Sequence, residues 1–238
     1  MKLDILVFAA HPDDAEISCS GTIVSHIAQG KKVGVIDFTM GEMGTRGNAE
    51  LRMKEAEESA RIMGLSVREN LGFRDVFFRN DEEHQMAVIR AIRKYRPDIV
   101  LANAIEDRHV DHGKGALLAR DACFMSGLAK IKTVFENKDQ EPWRPRAVYH
   151  YIQNNYIKPD FVVDITGFWE KKIAAIKAFK SQFYDPESEE PETFISQPGF
   201  LDFLECRARE LGHAIGVRYG EGFTANRLVG VNDLSNLL

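Results

Sequence analysis

The chain has 238 residues, 44% of them hydrophobic and 28% charged, and 31 Lys plus Arg against 36 Asp plus Glu leave a formal charge of −5. That length suits one large α/β domain or at most two small ones, and the mild acidity argues against a nucleic-acid binder, which carries a positive excess or stripe. Cys19, Cys123 and Cys206 are far apart and odd in number, which argues against a disulfide framework or a thiolate zinc site. Any bound metal must therefore be held by His, Asp or Glu.

The N-terminal apolar run, Ile5–Ala10, is too short for a membrane span and lacks the basic flank and length of a secretory signal. No other stretch approaches membrane length, so a soluble, cytoplasmic protein without a membrane partner is expected. Leu3–Ala9, Lys32–Thr39 and Ile99–Asn103 are short apolar or β-branched runs, the pattern of buried parallel strands. Between them the spacing is helical. Ile17, Val24 and Ala28 share one face with Ile23 and Ile27 beside them, and Met53, Ala56, Ala60 and Met63 form a stripe ended by Gly64. Val88, Ile89, Ile92 and Tyr95 form another stripe, which must stop before Pro97 because its ring disfavours helix at Arg96. Gly113–Cys123 has a helical pattern too. Glu136–Arg146 and Tyr184–Glu192 are charged, Pro-containing segments read as surface loops. Ala147–Gln153 and Phe161–Ile165 resemble strands, and Phe168–Lys180 and Leu201–Ile215 resemble helices.

This alternation predicts right-handed βαβ units in a Rossmann-like, open, mostly parallel sheet with helices on both faces, in one α/β domain over residues 1–238. The pattern does not encode the strand order. In such sheets the site lies outside the carboxyl ends of the strands, and both chemically dense segments fall there.

The first segment, Ala10-His11-Pro12-Asp13-Asp14-Ala15-Glu16, joins the first strand to the first helix. A dinucleotide fold needs a Gly-rich turn at this point so that phosphates can approach backbone amides. Here an imidazole and three carboxylates stand instead, and adjacent aspartates repel a pyrophosphate. Helix capping accounts for one aspartate but not for His11 and a second aspartate at the mouth of a buried strand. The second segment, Glu106-Asp107-Arg108-His109-Val110-Asp111-His112, follows the strand ending at Asn103. At a helix start His109 and His112 lie on one face, and Asp111 is placed to orient one imidazole and favour its protonated form. Taken together, the segments offer imidazoles and carboxylates without a usable thiolate, the make-up of a catalytic zinc site with open positions. Fe(II), Co and Mn accept the same donors.

Ala10–Glu16 with Gly21-Thr22, and later His109-Val110-Asp111-His112, resemble the two motifs of the LmbE-like, or PIG-L, metal-dependent N-deacetylases. The bacillithiol-biosynthesis branch, which deacetylates GlcNAc-malate, is suggested by Gly41–Gly47 (GEMGTRG), Ala49–Arg52 (AELR), Arg68–Gly72 (RENLG) and Tyr219–Phe223 (YGEGF). The resemblance runs from about Ile5 to Phe223. It implies zinc, or Fe(II) or another divalent metal, held by His11, Asp14 and His112. It further implies Asp13 as general base toward an attacking zinc-bound water, and His109, oriented by Asp111, as oxyanion partner or general acid. Val110 replaces a usual Pro, and Asp107 stands where some relatives carry a catalytic Tyr, so no tyrosine role transfers. A homo-oligomer, often a hexamer, is also implied.

Among Arg46, Arg52, Arg74 and Arg108, a guanidinium is suited to gripping the two malate carboxylates. Arg52 and Arg108 are expected to bind substrate, with Glu42 and Asp75 accepting sugar hydroxyls. His26, His84, His150 and His213 lack partners at ligand spacing and are expected to be structural. Two other functions remain open: deacetylation of free GlcNAc or a chitooligosaccharide, and a non-catalytic metal- or nucleotide-binding module. The retained Asp13 argues against the module, since pure binding needs no base beside the metal.

Overall fold

Strands and helices alternate through the first half of the chain, and the computed structural model describes residues 1–237. The order is β1 (Ile5–Ala9), α1 (Asp14–Ala28), β2 (Val33–Thr39), α2 (Ala49–Met63), β3 (Val67–Phe73), α3 (Glu82–Tyr95), β4 (Ile99–Ala102) and α4 (Val110–Met125). A short hairpin, β5 (Val134–Phe135) and β6 (Lys138–Asp139), precedes β7 (Ala147–Tyr151), β8 (Phe161–Asp164), α5 (Trp169–Ile176), α6 (Phe200–Ala214) and β9 (Gly220–Ala225).

One seven-stranded sheet runs in the order β3-β2-β1-β4-β7-β9-β8. Its first five strands are parallel, and β9 lies antiparallel between β7 and β8. β1 is buried along its whole length because β2 and β4 flank it and helices cover both faces, which is why it reads as an unbroken apolar run. Leu6 and Phe8 pack with Phe38, Val88, Ile92 and Leu118 on the α3/α4 side. Ile5, Val7 and Ala9 pack with Cys19, Ile23, Val24 and Met63 on the α1/α2 side. A further cluster of Ala56, Ile176, Phe179, Phe183, Phe200 and Leu204 seats the segment from α5 to α6 against α2.

The predicted strands and helices form, most of them shifted by a residue or two at their ends. α3 stops where Pro97 requires, with Arg96 in a left-handed conformation at φ 45°. The helix expected over Phe168–Lys180 ends earlier, at Ile176, and continues as turns. Three features lack a sequence signal. β3 is a sheet edge carrying Arg68, Glu69 and Asn70, so it shows no apolar run. β9 contains glycines that disguise it as loop, yet a Cβ on Gly220 would meet Val162 at 2.6 Å. The expected loop Glu136–Arg146 includes β6, paired to β5 through Glu136 and Asn137, both at positive φ as a two-residue hairpin turn requires.

From β1 the chain builds outward to β3, then returns to the opposite side of β1 for β4. This reversal is the point at which open α/β sheets place their ligands. Both chemically dense segments leave the sheet there. Phe8 is fully buried at the centre of this arrangement and stacks on Phe38 at 5.5 Å. Phe8→Ala should lower the unfolding free energy by about 3–5 kcal/mol, read from urea denaturation.

Candidate active site and metal centre

The chain leaves β1 through His11 and enters α1 through Asp13, whose φ of 116° is a left-handed value at a non-glycine residue. Such strain is held in place by its surroundings and concentrates at functional sites. The Asp13 side chain makes no capping bond to α1, so capping does not account for its carboxylate. Its Oδ2 instead accepts from Arg52 Nη2 at 2.7 Å, while Arg52 Nε donates to the Pro12 carbonyl at 3.0 Å. Burial pushes the Asp13 carboxyl up to about 7; the Arg52 charge pulls against this and the Asp14 charge adds to it. A carboxyl at that value can take or give a proton near neutrality.

Asp14 is held from several sides. Its Oδ1 lies 3.1 Å from His112 Nε2 and accepts from Gln153 Nε2 at 3.0 Å. Its Oδ2 accepts from the His11 amide and from Asn103 Nδ2, each at 3.0 Å, and lies 3.5 Å from His11 Nδ1. Burial alone would raise its pKa, but the charges and bonds of His112 and His11 hold it well below the carboxylate range.

His11 turns Nε2 toward Asp75 at 3.0 Å and Asp111 at 3.4 Å. His112 places Nδ1 at 2.5 Å from Asp107, which itself accepts the Asn154 and Asn155 amides at 3.1 and 2.7 Å. Burial opposes protonation of both rings, yet the surrounding carboxylates raise His11 well above its ordinary value and His112 to about 9. This pocket strongly favours positive charge.

The residues present fit a divalent cation. The ring nitrogens of His11, His109 and His112 lie within 4.8 Å of one another, and so do donor atoms of His11, Asp75 and Asp111. His112 has a carboxylate behind it, Asp107, and another in front, Asp14. A carboxylate behind a ring is how metal-binding imidazoles are oriented and made more basic. Asp14 belongs to neither group, but its oxygens lie 3.5 Å from His11 Nδ1 and 3.1 Å from His112 Nε2; His109 stands beside them with ring centroids 4.6 Å from His11 and 5.1 Å from His112.

The expected role of Asp111 requires correction. Its carboxylate does not reach the His109 ring: Oδ2 accepts the Val76 amide at 2.8 Å and Oδ1 lies 2.5 Å from Lys114 Nζ. Only its backbone amide touches His109, donating to Nδ1 at 3.3 Å. That bond leaves the proton of a neutral ring on Nε2. Burial and the charges of His11 and His112 lower the His109 pKa, against the expected protonated ring.

A cleft of about 220 Å³ opens over these groups, lined by His11, Asp13, Asp14, His109 and His112 and by the apolar Ile17, Phe194, Ile195, Phe200, Phe203 and Leu204. Among the expected substrate residues, Arg52, Asp75 and Arg108 line it. Arg52 spends two of its nitrogens on Pro12 and Asp13, so it is not a free grip for a carboxylate. Asp75 is bonded to His11 and to the Met43 amide. Arg108 lies 4.3 Å over the Phe194 ring and has no ion-pair partner among the described residues. Glu42 does not line the cleft; it is exposed and accepts the Asp75 amide at 2.7 Å, fastening that loop. Arg46 is buried and straps residues 181–191 through Ser181, Ser188 and Pro191, and the exposed Arg74 stacks on Phe77.

Sequence reasoning missed Asp107, Asn103 and Gln153 as supports of the site. Gln153 sits just past β7, and applying the carboxyl-end rule to that strand would have found it. His150, expected to be structural, donates from Nδ1 to the Asn103 carbonyl at 2.9 Å and so backs the residue that holds Asp14. Asp107→Asn should weaken divalent-metal binding by about 10–100-fold, measured by chelator competition; unchanged affinity would show that Asp107 does not support His112.

Residues 6–123 match the PIG-L family, described as GlcNAc-PI de-N-acetylase. The structure is similar to a conserved protein of Thermus thermophilus, with 35% identity, TM-score 0.88, and 98% of this chain and 99% of that one covered. The N,N'-diacetylchitobiose deacetylase of Pyrococcus horikoshii shares 31% identity at TM-score 0.78, covering 92% of this chain and 82% of its own. The diacetylchitobiose deacetylase of Thermococcus kodakarensis is 29% identical over 92% of this chain and 81% of its own length. A probable N-acetyl-alpha-D-glucosaminyl L-malate deacetylase 2 of Bacillus anthracis is 25% identical, covering 87% and 92%. A 4-oxalmesaconate hydratase of Pseudomonas putida is 27% identical, covering 74% and 73%.

Proposed function

The chain belongs to the PIG-L, or GlcNAc-PI de-N-acetylase, family, and on that premise we propose that it is a metal-dependent hydrolase removing the acetyl group from an N-acetylglucosamine conjugate. The observation that carries this reading is the buried Asp13 carboxyl, with a pKa near 7, beside Asp14 and its two imidazoles.

An amide is a poor electrophile and neutral water a poor nucleophile. A divalent cation held by His11, Asp14 and His112, with zinc our first choice, would polarise the acetyl carbonyl and make water more acidic. Asp13 accepts a proton as the water oxygen adds to the carbonyl carbon. His109, whose Nδ1 is occupied as an acceptor, has its Nε2–H for the developing oxyanion; such a donor is typically worth on the order of 10²–10³ in rate. Asp13 then returns its proton to the amine nitrogen as the C–N bond breaks, leaving acetate and the free amine. Arg52 keeps Asp13 aligned through the 2.7 Å bond and limits how far burial raises its pKa.

We take GlcNAc-malate as the conjugate. Arg108 supports it as a cleft arginine without an ion-pair partner among the described residues, suited to an acidic aglycone. The competing conjugate is diacetylchitobiose, on which two of the relatives act by name. A cytoplasmic homo-oligomer completes the reading.

Acetate release by metal-reconstituted protein from GlcNAc-malate, diacetylchitobiose and free GlcNAc tests each level. A higher kcat/KM for diacetylchitobiose removes the malate assignment and keeps the deacetylase. No acetate from any of them removes the deacetylase, and hydration of an unsaturated acid would then point to the hydratase relative. Asp13→Ala should lower kcat by about 10²–10⁴ with metal content near normal, whereas His11→Ala should lose the metal; a metal-free Asp13→Ala protein would refute that division of labour. Arg108→Ala should raise KM for GlcNAc-malate and leave that for free GlcNAc unchanged.

A further inference from the structure

The Tyr219–Phe223 segment takes no part in the chemistry above, yet Glu221 reaches the helix that begins at Asp13 and Asp14. Lys172 on α5 and Glu221 on β9 form a buried ion pair with Nζ and Oε1 2.7 Å apart. Among the described residues, neither side chain spends its remaining capacity on another side chain. Lys172 Nζ donates to the Glu16 and Ile17 carbonyls at 3.1 and 2.7 Å. Glu221 accepts the Gly21 amide on Oε1 at 3.0 Å and the Thr22 amide on Oε2 at 2.7 Å. Glu16 and Ile17 lie in the first turn of α1, and Gly21 and Thr22 lie about one turn further on.

A regular helix pairs the Gly21 amide with the Ile17 carbonyl. Here Ile17 O, Lys172 Nζ, Glu221 Oε1 and Gly21 N form a second path across that same rung. Side chains entering the ladder in this way set the direction of a helix locally. Gly21 also admits the close approach of the neighbouring chain, since a Cβ there would fall 2.7 Å from Ile165 Cδ1. The first turn of α1 is anchored again through Glu16, which accepts from Ser59 Oγ at 2.8 Å and pairs with Arg68 at 2.5 Å. A buried ion pair rarely adds stability over apolar residues of the same size. What this pair contributes is geometry.

The geometry points to Lys172 and Glu221 as positioning residues: they fix the first turn of α1, and through it the placement of Asp14 for the metal and Asp13 for proton transfer. This inference rests on the proposed use of that turn, but its metal-binding half stands without any activity.

The test compares wild type with Glu221→Gln and with the charge-free double variant Lys172→Met/Glu221→Leu, which leaves no unpaired buried charge. Arg93→Met is the control. It removes a buried cation that bonds the Ser126, Leu128 and Ile131 carbonyls far from α1. Zinc affinity is read by chelator competition, kcat and KM by acetate release, and folding by thermal unfolding. The double variant should fold, bind zinc about tenfold more weakly, and lose about tenfold in kcat with KM nearly unchanged. Lys172→Arg, which keeps the ion pair with Glu221, should retain most of both, and Arg93→Met should lower the unfolding midpoint without moving zinc affinity. Wild-type zinc affinity and kcat in the double variant, or an equal loss of affinity in Arg93→Met, overturns the inference. If Glu221→Gln does not fold, the double variant decides. If wild type releases no acetate from any substrate, the deacetylase reading fails and zinc affinity alone decides the pair.

Discussion

Carboxylates converge at the carboxyl ends of β1 and β4, and their removal from water is the constraint on which the rest of the site depends. Asp13, Asp14 and Asp111 are buried around His11 and His112, with Asp75 and Asp107 completing the ring. Desolvated carboxylates at these distances tolerate one another only with positive charge between them. Arg52 answers Asp13, Lys114 answers Asp111, and the two imidazoles answer Asp14, Asp75 and Asp107. A divalent cation suits such a place because it concentrates charge where several donors already meet. Asp13 differs from its neighbours in having its pKa raised rather than lowered. Two adjacent aspartates thereby acquire two different tasks.

The fold makes that concentration possible by carrying the two acidic segments to one edge from opposite sides of the order reversal. β1 and β4 are neighbours, so His11 to Glu16 and Asp107 to His112 face each other although about a hundred residues separate them. The apolar lining comes from a third region, residues 194–204, held by the packing of Phe200 and Leu204 with Phe179 and Phe183 and preceded by the 181–191 stretch that Arg46 straps down. His11, Asp14 and His112 thus stand at the switch point, after β1 and in the first turns of α1 and α4, and the apolar lining of the cleft comes from a long connection.

The sequence by itself determined the fold class, the two donor-bearing segments and the exclusion of thiolate ligands. Apolar periodicity and residue chemistry are local properties, and β1, β2 and β4 are buried on both faces, so their runs are unmistakable. Only the tertiary structure decided the partners. Arg52, expected to grip substrate, is turned inward by α2 onto Asp13. Asp111 sits two residues from His109 but directs its carboxylate to Val76, Lys114 and His11. Glu42 fastens a loop outside the cleft, while Asn103 and Gln153, unremarkable in sequence, hold Asp14. β3 and β9 escaped notice because an edge position and close glycine packing erase the local pattern. Which side chain meets which depends on strand order and on how each helix rotates against the sheet, and neither is a property of any short stretch of chain.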